Sequence, residues 1–128
     1  MQKDFEKWSE RKREVNNLGT YALYHQREVW WCILGTNIGF EQDGRGTGFE
    51  RPVLVLKGFS AYVCLVIPLT TSKKVNPYHV PIGMIAGKEA FAIISQLRLI
   101  DTKRLVEKIE YVPIDVFKVI QKAVRDLF

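Results

Sequence analysis

Between about residues 27 and 112 the apolar residues come in short dense runs separated by turn formers, without the three-to-four-residue period of a helix. "REVWWCILG" leads in, and "RPVLVLKG" follows a glycine-rich loop. "AYVCLVIPLT" carries the β-branched and aromatic content of a strand buried on both faces. "NPYHVPIG" is shorter, and its prolines suit an edge or a barrel corner, while "EAFAIISQLRLI" reads as one further long strand. In "DTKRLVEKIEYV" Asp101 is placed to cap a short helical turn before a final short strand. Strands that follow one another without intervening helices predict a small barrel or a tightly curled antiparallel sheet, not βαβ units.

The ends of the chain have the other period. In "PIDVFKVIQKAVRDLF" Pro113 suits a helix start, and Val116 or Phe117, Ile120, Ala123, Val124 and Leu127 form an apolar stripe that packs on the barrel. Phe5, Trp8, Val15 and Leu18 fall at loose helical spacing and predict an added amphipathic helix, whose Arg11, Lys12 and Arg13 read as a solvated face. Residues 19–26, "GTYALYHQ", are a connector or a short extra strand. The division is therefore a helical extension and connector over 1–26 and a barrel domain with its C-terminal helix over 27–128.

Composition narrows the class. At 128 residues with 47% hydrophobic content the chain is large enough to fold as one domain without staples. A formal net charge of +5 and a pI near 9.3 suit nucleic acid, an acidic protein or an anionic membrane, and do not choose among them. Cys32 and Cys64 sit inside apolar runs and read as buried free thiols of a reducing compartment; their spacing is not that of a zinc site. The first turns are charged and lack the apolar core of a secretory signal. The longest strongly apolar run, "YVCLVIPL" at 62–69, falls far short of the roughly 20 residues that span a bilayer. A cytoplasmic protein with no membrane partner is expected.

The glycine loop "GRGTG" at 44–48 invites a nucleotide reading, but no Lys-Ser or Lys-Thr follows it. Arg51-Pro52 instead leads into a strand, where a phosphate loop needs a helix N-terminus. That reading fails, and a hairpin loop remains, either merely mobile or able to gate a ligand. Burying an arginine is costly, so Arg51 is expected to point outward, toward something anionic.

Four blocks in order carry a resemblance. Gly39, Glu41 and Gln42 match G-x-E-Q, and Arg51-Pro52 matches R-P. Pro68 and Thr70 match P-x-T, and Gln96, Arg98, Asp101, Arg104 and Leu105 match Q-x-R-x-x-D-x-x-R-L. Over roughly residues 27–128 the chain resembles the MazF/PemK family of toxin endoribonucleases from bacterial toxin–antitoxin systems. The resemblance implies an SH3-like barrel of the MazF/CcdB kind with an appended C-terminal helix, usually a homodimer. It also implies sequence-selective cleavage of single-stranded RNA with no metal or other cofactor, and a cognate antitoxin as partner. In similar proteins the Arg of R-P and the Thr of P-x-T line the active site, which maps onto Arg51 and Thr70.

Those two residue types suit that chemistry. Attack of a 2′-hydroxyl on the adjacent phosphorus needs a base, an acid for the departing 5′ oxygen and a cation for the developing phosphorane charge. Arginine stays protonated and its fork fits phosphate oxygens, so Arg51 is cast as the electrostatic stabiliser. The Thr70 hydroxyl can bond a non-bridging oxygen or orient the nucleophile. Several relatives carry an acid immediately before the Gln of Q-x-R, where this chain has Ser95, which cannot carry a proton near neutral pH. Glu41, Glu50, His25 and His79 are the titratable candidates left, and the base stays unassigned.

Gln42, Lys73, Lys74 and Gln96 are candidate RNA-binding residues, the lysines because they follow Thr70 closely enough to steer a phosphate chain. Gln96 and Arg98, late in a strand read as buried, are expected to bond neighbouring backbone as well. Trp30 and Trp31 face opposite sides of one strand, so one is expected in the core while the other is available to stack on a base or fill a dimer contact, with core or interface favoured. Set against the compact relatives that the resemblance brings in, the "DGRGTGFE" loop is long, and it is expected to cover the RNA groove or reshape its sequence preference. The rival expectation is a non-catalytic barrel that binds a protein target, as CcdB toxins do, or one that binds RNA without cutting it.

Overall fold

The computed structural model describes residues 21–34 and 50–128. The expected N-terminal helix, the glycine loop, and Gly39, Glu41 and Gln42 lie outside the described residues. The chain is mainly β: β1 (Glu28–Ile33), β2 (Glu50–Gly58), β3 (Val63–Thr70), β4 (His79–Ile85), β5 (Lys88–Ile93), β6 (Arg98–Asp101), β7 (Leu105–Tyr111) and a C-terminal helix α1 (Ile114–Arg125). The strands form one antiparallel sheet in the order β4-β5-β3-β2-β1-β7, with β6 added to β3. Bulges at Val55/Lys57 and at two points of the β1–β7 ladder bend the sheet into a curled half-barrel, in keeping with the curled sheet expected of the runs and the SH3-like barrel implied by the resemblance.

Curling explains the unbroken apolar runs, because both faces are covered. On β2, Val53 and Val55 point into a core with Trp30, Cys32, Val66 and Leu105, while Leu54 and Leu56 point the other way beneath α1. From the helix, Phe117 and Ile120 are fully buried against that second core, and Val116, Ala123, Val124 and Leu127 pack at its margin. Each of the two buried side chains stabilises the attachment by about 1.5–3 kcal/mol. Trp30 and Trp31 are both buried, so neither ring is exposed for stacking.

One run departs from expectation. "EAFAIISQLRLI" is not a single strand: it is β5, a 3-10 turn over Ile94–Gln96, and then β6. Strand β3 explains the break, since it pairs through Leu69 and Thr70 with β5 and through Val63–Val66 with β6. Continued straight from the Leu69↔Ala92 pair, Val66 would meet Ser95; it meets Arg98, and the three-residue turn absorbs the offset. Asp101 caps the following turn as expected, its Oδ1 accepting the Lys103 N–H at 2.8 Å. At seven residues, β7 is longer than the short strand expected.

Residues 21–27 make a connector and no strand. It is tied down by its side chains: Tyr24 Oη donates to Ser60 O at 2.6 Å, Gln26 Nε2 to Leu56 O at 2.9 Å and Arg27 Nε to Val112 O at 3.0 Å. Among the described residues no helix is long and apolar enough to cross a membrane.

Candidate active site

Arg51 enters β2 opposite Cys32 of β1. The last β2–β3 ladder pair is Val53↔Pro68, so the same register carried two residues further sets Arg51 opposite Thr70. Paired residues of an antiparallel ladder share a face, and Arg51 and Thr70 therefore sit side by side, with Phe91 of β5 next across from Thr70. Past the end of the ladder the guanidinium bridges the strands, Nη2 donating to Leu69 O at 2.8 Å. Thr70 ends β3, and its Oγ1 accepts the Ser72 N–H at 3.0 Å, which turns the chain away from the sheet.

The expected outward arginine is corrected here. Arg51 and Thr70 are each only 4% exposed. Strand alternation is the cause: two residues before Val53, Arg51 falls on the inward face, and only a polar acceptor makes that tolerable. The Leu69 carbonyl supplies one, in a charge-assisted bond of the kind that contributes about 1.5–3 kcal/mol.

The remaining candidates are spread more widely. Lys73 and Lys74 lie on the exposed segment after Thr70, and Lys73 Nζ is 3.5 Å from Glu89 Oε1 in a surface pair that holds it only weakly. Gln96 is exposed on the 3-10 turn and Arg98 is exposed on β6. Neither makes a side-chain hydrogen bond among the described residues, so the expected backbone bonds are absent there because neither position is in a buried strand. Gln42 lies outside the described residues. Ser95 is exposed on the same turn as Gln96.

Of the titratable groups, His25 is removed from the pair. It sits before β1, where its Nδ1 is 3.2 Å from Glu28 Oε2, whereas Cys32 at the other end of that strand faces Arg51. Glu28 also accepts from the Trp30 indole N–H at 2.9 Å, the His25 backbone N–H at 2.8 Å and Lys108 Nζ at 3.4 Å. Burial pushes its carboxyl up, but these donors outweigh it and hold the group below the usual range. Glu107 of β7 is fully buried opposite Trp31. Nothing in an alternating acidic strand such as "VEKIEY" marks which acid goes inward. Glu50 is adjacent to Arg51, and His79 opens β4 on the face that carries Thr70.

Cys32 lies in the row beside Arg51, and burial, reinforced by the Cys64 thiol nearby, pushes its own thiol up to about 12. Cys64 is pushed up to about 11 by burial. Both are free thiols, as expected, and neither is a nucleophile at neutral pH. Among the described residues no group of three or more His, Cys, Asp or Glu side chains is placed to hold a metal ion.

Known proteins bear on this arrangement at two levels. The fold matches MazF from Deinococcus radiodurans, with a TM-score of 0.65 at 22% identity over 83% of this chain and 96% of that one. It matches the Mycobacterium tuberculosis toxin MazF-mt6, with a TM-score of 0.60 at 17% identity over 78% and 94%. It also matches a mycobacterial endoribonuclease in complex with its cognate antitoxin, with a TM-score of 0.60 at 14% identity over 80% and 92%. Such identities speak for the fold alone. No curated protein gives a significant match. The sequence profile of the PemK-like, MazF-like toxins of type II toxin–antitoxin systems matches residues 25–128, well over half of the chain and all of its described strands. The chain belongs to that toxin family, whose members are generally endoribonucleases.

Proposed function

We propose that the chain is the toxin of a toxin–antitoxin pair and cleaves single-stranded RNA at selected sequences, in the cytoplasm and without a metal. The observation that carries this reading is the meeting of Arg51 and Thr70 across neighbouring strands, with the guanidinium fixed to the carbonyl of the residue before the threonine. A cation beside a hydroxyl supplies the charge-stabilising part of what a phosphorane transition state requires. The 2′ oxygen bonds to phosphorus as the bond to the 5′ oxygen breaks, leaving a 2′,3′-cyclic phosphate and a 5′-hydroxyl. One proton leaves the 2′-hydroxyl for a base and another reaches the 5′ oxygen; neither carrier is assigned. Arg51 holds the charge on the non-bridging oxygens, and Thr70 positions the phosphate.

The 4% exposure of each side chain sets a condition on the reading: the wall of the site has to shift, or a second copy has to reshape it, before a phosphate makes contact. A homodimer bound by its antitoxin, and released from it to act, fits that condition. Lys73, Lys74 and Gln96 stand exposed to meet the RNA strand, and Gln42 joins them on the strength of its motif.

The test is incubation of the purified protein with a long single-stranded RNA in EDTA, followed by mapping of the ends. Discrete fragments with cyclic phosphate ends are expected, and Arg51→Ala should slow their formation by roughly 10²- to 10³-fold. RNA that is bound but left intact would favour the non-catalytic reading, and an unchanged rate in the variant would remove Arg51 from the mechanism.

A further inference from the structure

The face that carries Arg51 and Thr70 continues across β5 onto β4. Thr70 pairs with Phe91, and Phe91 with Pro81, so these three side chains share that face. His79 lies two residues before Pro81, opposite Ile93, and projects from the same side. From Thr70 it is two strands across and two residues along, a separation of roughly 12 Å by ordinary sheet spacings.

Its ring is unevenly provided for. Nδ1 is buried and has no hydrogen-bond partner among the described residues, although the side chain as a whole is only half-buried. A neutral imidazole carries one proton, and placing it on Nδ1 would strand a donor with nothing to accept it. Placing it on Nε2 avoids that cost and leaves an N–H for which no described residue supplies an acceptor. The backbone beneath is fixed: the His79 N–H donates to Asn76 O at 3.0 Å, and Asn76 Oδ1 accepts the Tyr78 N–H at 2.8 Å. Along the segment that joins Thr70 to this turn, Lys73, Lys74 and Tyr78 are all exposed, the tyrosine at 46%. Cations interleaved with an exposed ring suit a single strand of nucleic acid, which offers phosphates and base faces together.

We propose that His79 is an RNA-contacting residue of the toxin, donating from Nε2 to an acceptor on a nucleotide that flanks the cleaved bond. The inference rests on the nuclease reading, and it adds a contact beyond the reacting phosphate on the β4 side of the site. A base acceptor would make His79 a determinant of sequence preference; a phosphate acceptor would make it a sequence-blind grip.

The deciding experiment compares wild type, His79→Ala and His79→Gln on short RNAs in which each nucleotide flanking the cleaved bond is varied in turn. Binding is measured in parallel on the same RNAs carrying a 2′-O-methyl group at that bond. His79→Ala is expected to raise KM and the dissociation constant about tenfold while kcat stays within about twofold, as for one lost hydrogen bond. His79→Gln, whose amide can donate from a similar reach, is expected to recover part of the loss. Relaxed preference at one position identifies a base acceptor, and uniform weakening with a shallower salt dependence identifies a phosphate. Thermal midpoints matching wild type exclude a folding defect, and the glutamine variant carries the comparison should the alanine variant unfold. Parameters for both variants that superpose on wild type would overturn the proposal. Wild type that binds RNA without cutting would sink the nuclease reading alone, because the binding arm still decides on His79; wild type that neither binds nor cuts would sink both.

Discussion

At the scale of single residues, the chain places its charges according to register more than to residue type. Arg51 is inside because Val53 is inside, and Glu28 is inside because Trp30 is. The Glu28 carboxylate gathers donors from two strands and the connector, so losing its charge leaves several of them poorly matched. Glu28→Gln should destabilise the fold by about 1–3 kcal/mol at neutral pH, measured by urea denaturation. The sign with pH follows from its lowered folded value: the contribution is complete above the ordinary carboxylate range near 4.3 and is lost as pH falls through the folded value. The gap between variant and wild type should accordingly be level from pH 7 down to about 5 and narrow below 4. Of these residues the sequence discloses Arg51 and Thr70 through their motifs, and it discloses nothing of how deeply they lie. Depth depends on the Cys32↔Arg51 pairing, a contact between residues far apart in the sequence that no local pattern encodes. Glu28 and Glu107 were illegible for the same reason, since acids in alternating strands ordinarily face water.

At the scale of elements, the apolar runs fall on the strands and the apolar stripe falls on α1, because burial alone sets both periods. The run "EAFAIISQLRLI" failed as a single strand because its corner carries no glycine or proline. Its turn is imposed by β3, which has to share itself between two partners. The β4–β5 hairpin offers a simpler case. Ala86 has φ of 52° and Gly87 of 82°, a two-residue turn with both residues in the left-handed region. Gly87 adopts it without strain, whereas Ala86 carries a Cβ against it. Ala86→Asn should raise stability by about 0.5–1 kcal/mol, seen as a higher thermal midpoint with activity intact, since asparagine visits that region readily. A lower midpoint would show that the turn is held by its Glu110 contact to the Ala86 N–H and not limited by its own backbone.

At the scale of the whole molecule, the proposed nuclease reading assigns the formal charge of +5 to the approach of RNA and the exposed segment after β3 to its binding. Each phosphate contact to a single strand lowers the slope of log affinity against log salt by about 0.7. Replacing Lys74 with Ala should therefore flatten that slope by about 0.7 if the lysine meets a phosphate, and leave it untouched if it does not. The Lys73 effect should be smaller, because Glu89 competes for the same ammonium. The barrel as a whole was legible from the spacing of the runs, which leaves no room for crossover helices.

One acceptor that holds Arg51 is a main-chain oxygen, and this has an evolutionary consequence. No substitution at position 69 can delete a peptide carbonyl, so this one anchor of the guanidinium persists while neighbouring side chains drift. On the proposed nuclease reading, substitutions at the rim of the site could then alter its preferences and leave that anchor of the cation in place.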